Sequence, residues 1–197
     1  SEAITNQVIA DMASELGIEM TGDEASATFG GKTLDGVVYK MKELSGRELP
    51  DDWLPRLVQM VSQSWESKLM PVRGVREILA NMKIPACVAS NGEPTHVRHA
   101  LKLTNLYDFF EDKIFTSSEV SVPKPAPDLF LYAAKKMGFS PSECVVIEDS
   151  ITGVTAAINA NIRVYGIINN LFSKKDLEEA GAITFNRMKD LPKLLGL

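Results

Sequence analysis

Apolar residues Ile4, Val8, Ile9, Met12, Ala13 and Leu16 recur at the spacing of one buried helix face. They predict a helix from about Glu2 to Leu16. Two further helical patterns run from about Leu34 to Leu44 and from Asp52 to Lys68. Gly17, Gly22, Gly30-Gly31 and Ser45-Gly46 punctuate them as turns. No convincing strand appears in this stretch, so residues 1–69 read as a small all-helical unit. From about Met70 the pattern changes to alternating helix and strand. Helices are predicted near Arg73 to Met82, Pro94 to Leu103, Ala126 to Met137 and Ile151 to Ala160. Strands are predicted at Ala86–Ala89, Ile114–Thr116, Cys144–Ile147, Val164–Ile168 and Ala182–Phe185. Such alternation implies a parallel sheet covered on both faces, so residues 70–197 read as an α/β core.

Composition narrows the function classes. The chain has 197 residues, 45% of them hydrophobic, and a net charge of −5, which excludes a disordered segment. Basic residues are scattered and the isoelectric point is about 5.2, so neither nucleic acid nor an anionic membrane is an expected partner. No apolar run is long enough to span a membrane. Ser1 to Asn6 shows no basic n-region and no apolar h-region, so no signal peptide is expected. Cys87 and Cys144 lie far apart in strand-like runs and read as two buried thiols rather than a disulfide or a zinc site. A cytoplasmic monomer is the expectation.

Ligands of open α/β sheets bind beyond the carboxyl ends of the strands, so the residues just after each strand are informative. Ser90-Asn91-Gly92 comes after the first, a loop leading to Pro123-Lys124-Pro125-Ala126-Pro127-Asp128 after the second, and Glu148-Asp149-Ser150 after the third. Each piece is ordinary alone: a turn, a loop lysine, a pair of acids capping a helix. Their conjunction on one sheet edge fits a phosphate and magnesium. Ser90 and nearby backbone N–H groups can bond phosphate oxygens, and Lys124 can neutralise phosphoryl charge. Glu148 and Asp149 are hard oxygen ligands suited to Mg2+. His96 and His99 lie one helical turn apart with no third ligand nearby and read as a surface helix face. Trp53, Trp65, the methionines of the helical unit and Phe109-Phe110 read as core.

These motifs resemble the haloacid dehalogenase-like hydrolases, in their β-phosphoglucomutase-like and sugar-phosphate phosphatase branch. Ala89-Ser90-Asn91-Gly92 is similar to that family's second motif, and Lys124-Pro125-Ala126-Pro127-Asp128 to its third. Val146-Ile147-Glu148-Asp149-Ser150, with Gly153, Ala156-Ala157 and Ala160 after it, is similar to its fourth. The resemblance implies a Rossmann-like α/β core with a helical cap at residues 1–69. It implies that Ser90 and Lys124 are catalytic, that Ser90, Asn91 and Lys124 bind phosphate, and that Glu148 and Asp149 hold magnesium. Phe29-Gly30-Gly31-Lys32-Thr33 matches the cap loop that reaches the substrate, which points to Gly31 and Lys32.

The first motif of that family, Asp-x-Asp on a central strand, does not occur among these residues. Ser1-Glu2 resembles its tail, so the nucleophilic Asp is expected upstream, and the core is expected to lack its first strand. That strand would lie between those ending at Ser90 and Ile147. The expected reaction is phosphoryl transfer from a small phosphorylated metabolite, a sugar phosphate, to Asp, and then hydrolysis. The residues alone would be inactive. A phosphosugar mutase and a non-catalytic phosphate-binding module are the alternatives.

Overall fold

A computed structural model describes residues 1–197. The chain divides into two compact units, Ser1–Met70 and Pro71–Leu197. The first is all helix: α1 (Glu2–Ser14), α2 (Gly22–Phe29), α3 (Leu34–Ser45) and α4 (Trp53–Lys68). The apolar stripe of α1 faces α2 and α4. Met12, Ala13, Ala25, Met41, Trp53 and Leu57 are all but inaccessible and form its core. Asn6 is buried on α1 and donates to Ser26 Oγ of α2 at 3.1 Å.

Helix α2 departs from the sequence expectation, which placed only a turn around Gly22. Its start is fixed by a capping box, in which Thr21 accepts from the Glu24 N–H and the Glu24 carboxylate accepts from the Thr21 N–H. Those bonds hold the Glu24 carboxyl below the usual carboxylate range. The Thr-x-x-Glu signature is visible in the sequence and outweighs the glycine.

The second unit runs α5 (Val75–Asn81), β1 (Val88–Ser90), α6 (Pro94–Leu103), β2 (Ile114–Thr116), α7 (Asp128–Met137), β3 (Val145–Glu148), α8 (Ile151–Asn159), β4 (Arg163–Ile167), α9 (Lys174–Glu179), β5 (Ile183–Phe185) and α10 (Leu191–Leu195). This is a Rossmann-like α/β arrangement, with every strand pair parallel. Helices α9 and α10 are additions to the sequence reading. Ser173-x-x-Asp176 is a second capping box and explains where α9 begins.

The sheet is in two parts. β1 pairs only with β2, while β3, β4 and β5 form a separate three-stranded sheet. The β1 ladder starts at Val88 opposite Ile114, so Ala86 and Cys87 fall outside the strand that the apolar run suggested. Strands buried on both faces were expected, but Val145 is 39% exposed and Ile147 36%. Their side chains lie on the opposite face from Val146, which packs with Val154, Ala157 and Val164. No residue of β1 is fully buried. β1 and β3 thus each have one neighbouring strand and one open edge.

Candidate active site

Each candidate residue of the α/β unit stands at or just beyond the carboxyl end of a strand. Ser90 is the last residue of β1 and Glu148 the last of β3. Lys124 lies in the loop before α7, where Pro123 and Pro125 restrict the backbone. Its ammonium Nζ donates to Glu148 Oε1 at 2.6 Å and to the Ala89 carbonyl at 3.2 Å. It also lies 5.1 Å from the centre of the Phe130 ring. Both partners of the ion pair are 9% exposed. Lys124 therefore links the β1 end to the β3 end without either strand pairing with the other.

Asn91 spends its side-chain amide on this loop. Its Nδ2 donates to the Lys124 carbonyl at 2.9 Å, and its Oδ1 accepts from the Lys124 N–H at 3.0 Å. Ser117 Oγ donates to the Asn91 carbonyl at 2.9 Å, which ties the loop after β2 to the loop after β1. Ser90 Oγ accepts from the Gly92 N–H at 3.1 Å. The second motif thus shapes its own turn and fixes the lysine backbone.

Glu148 divides its carboxylate between two tasks. One oxygen meets Lys124, and the other accepts from the Asp149 N–H and from Ser150 Oγ, each at 3.2 Å. Ser150 in turn caps α8 by accepting from the Gly153 N–H at 3.0 Å. A carboxylate beside the first turn of a helix is favoured by the macrodipole. Asp149 is exposed, and its carbonyl accepts from Asn169 Nδ2 at 2.6 Å. Asn169 Oδ1 accepts from the N–H groups of Leu171 and Phe172. Asn169 lies just beyond β4 and was missed by the sequence reading, although inspection of the strand ends extends naturally to it. Ser117 and the Ala89 carbonyl carry no sequence signal, because the fold alone brings them in.

Glu148 and Asp149 offer hard oxygen donors of the kind Mg2+ takes. No group of three or more His, Cys, Asp or Glu residues is placed to hold a metal, so this donor set fits the ion in chemistry but not in number. The helical unit contains the other two candidates. Gly31 is half-buried with a positive φ of 70°, and its N–H donates to Glu2 Oε1 at 2.6 Å. Lys32 is exposed. Thr33 caps α3 by accepting from the Gly36 N–H.

The cysteines are free and half-buried. Burial, aided by Cys144, pushes the Cys87 thiol up to about 11, so it is protonated near neutral pH and unsuited to nucleophilic work.

The sequence model of the haloacid dehalogenase-like hydrolases matches residues 11–161. The 6-phosphogluconate phosphatase of Escherichia coli K12 is 26% identical over 195 residues, covering 98% of this chain and 88% of that protein. The phosphorylated carbohydrates phosphatase of Thermotoga maritima is 27% identical, covering 93% of this chain and 87% of that protein. Among solved structures, a hydrolase of the same family from Deinococcus radiodurans R1, with bound phosphate and sodium, superposes with a TM-score of 0.78. It is 27% identical and covers all of this chain and 89% of its own.

Proposed function

The chain belongs to the haloacid dehalogenase-like hydrolases, and on that premise we propose that it is the greater part of a magnesium-dependent phosphatase acting on a sugar phosphate. The observation that carries the reading is the buried Lys124–Glu148 pair, set beside Ser90, Asn91 and Asp149 at the strand ends. The named activities of the Escherichia coli and Thermotoga maritima relatives support phosphorylated carbohydrate as the substrate class.

In this reading Ser90 Oγ and the Asn91 backbone N–H bond the phosphoryl oxygens. Two of the three ammonium N–H bonds of Lys124 go to protein acceptors, and the third reaches the phosphoryl group. Glu148 and Asp149 would hold the magnesium ion, which supplies charge neutralisation to the phosphoryl group when bound. Gly31 and Lys32 of the helical unit are, in this reading, the residues that recognise the substrate's sugar part.

The nucleophile is an Asp on a strand that these 197 residues do not contain, and the unit is inactive without it. The open edges of β1 and β3 support this, because a strand seated there would end beside Lys124. The seated carboxylate attacks phosphorus, the sugar oxygen leaves with the P–O bond electrons and takes a proton, and water then cleaves the acyl phosphate. The test is phosphate release from a panel of hexose and gluconate phosphates with Mg2+, using the protein extended by an apolar strand ending in Asp-x-Asp. Release that disappears with EDTA and with Lys124→Ala is expected. A panel with no released phosphate, or release indifferent to EDTA, would overturn the assignment.

A further inference from the structure

Gly153 sits in the first turn of α8, fully enclosed, and its φ lies outside the left-handed region. Nothing in its backbone calls for glycine, and alanine is the better residue in a helix interior. What calls for glycine is Glu148. A methyl group at Gly153 would overlap the carboxylate carbon and both carboxylate oxygens of Glu148. The carboxylate occupies the volume that a β-carbon would fill.

We propose that Gly153 is a positioning residue, whose missing side chain is the seat that holds the Glu148 carboxylate against the start of α8. Only in that seat does one oxygen accept from the Asp149 N–H and Ser150 Oγ while the other meets the Lys124 ammonium. The obstructed atoms are the far end of a flexible side chain. Gly153→Ala therefore leaves the backbone fold intact and expels the carboxylate. Lys124 keeps the Ala89 carbonyl and loses its ion partner. The role extends the active-site reading one residue deeper than the motif side chains, and its metal-binding consequence rests on that reading.

Two measurements test it on the 197-residue chain. The first is a double-mutant cycle in thermal unfolding between Gly153→Ala and Glu148→Ala. With Glu148 truncated, the added methyl meets no carboxylate, and the better helix former raises Tm by about 2–4 °C. With Glu148 present, the same change gives no rise or a fall. An equal shift in both backgrounds overturns the proposal. A Gly153→Ala protein that fails to fold but is rescued by Glu148→Ala supports it, and one that is not rescued overturns it.

The second measurement is Mn2+ binding by electron spin resonance in the presence of inorganic phosphate. Gly153→Ala is expected to weaken Mn2+ by about 10-fold or more, as Glu148→Gln does. Wild-type affinity in Gly153→Ala beside weakened affinity in Glu148→Gln overturns the positioning role. Absence of Mn2+ binding both by the parent chain and by the protein extended by the Asp-x-Asp strand overturns the metal reading, and the cycle still decides the seat.

Discussion

The helical unit and the α/β unit both enclose apolar side chains completely, Leu129, Val154 and Leu177 among those of the second, but they differ at the open strands. In the first, Met12, Ala13, Ala25 and Met41 are wholly enclosed, and α1 joins α4 at its end through a two-bond Glu15–Arg56 pair. In the second, β1 has no buried residue and Val145 and Ile147 lie open. The cause is the direction of the backbone hydrogen bonds. A helix satisfies its N–H and C=O groups within itself, so four helices can close a core alone. A strand needs a partner at each edge, so β1 and β3 have unpaired edges wherever a neighbour is wanting. At that point the Lys124 ammonium between Ala89 and Glu148 adds a polar link to the packing of Ala89 against the Val146 cluster.

That contrast can be broken at several strengths. Lys124→Ala leaves the Glu148 carboxylate buried without its cation, and breaking such a pair costs about 3–5 kcal/mol. Urea unfolding would show it as a loss confined to the α/β unit. In the helical unit the equivalent blow is apolar: Leu57→Ala removes a fully enclosed side chain and costs about 3 kcal/mol. Ile147→Ala, at a side chain 36% exposed, is expected to cost only about 1 kcal/mol. Equal losses at Leu57 and Ile147 in urea titrations would show that the two cores are equally closed.

The smallest expected effect is common to both units. Glu24 and Asp176 have carboxyls held low by their capping bonds to Thr21 and Ser173. A carboxyl whose folded pKa is depressed adds stability above its unfolded value, about 4, and loses it as pH falls through the folded value. Thermal scans from pH 6 downward are expected to show this acid loss reduced in Thr21→Ala and Ser173→Ala alike.

Much of this was legible in the residues. The stripe from Ile4 to Leu16 identifies a helix because burial imposes its period, and the apolar run before Glu148 identifies a strand although only Val146 of it is fully buried. Ser90, Lys124, Glu148 and Asp149 emerge from reading strand ends. Helix α2 was hidden by Gly22, although Thr21 and Glu24 carried the stronger signal. The break between β1 and β3 falls where the family resemblance places the expected first strand, although the apolar runs alone do not give the pairing order. Nor could Asn91 be seen to clamp the Lys124 backbone, since those residues are 33 apart and meet only in the fold.

The central claim is that β1 and β3 are built to receive one more strand, carrying the nucleophile. Amide hydrogen exchange across Val88–Ser90 and Val145–Glu148 tests it most directly, with and without an apolar peptide ending in Asp-x-Asp. The account predicts that the peptide slows exchange in both segments together, while the helical unit keeps its own rates. Unchanged exchange at β1 and β3 with saturating peptide would contradict it.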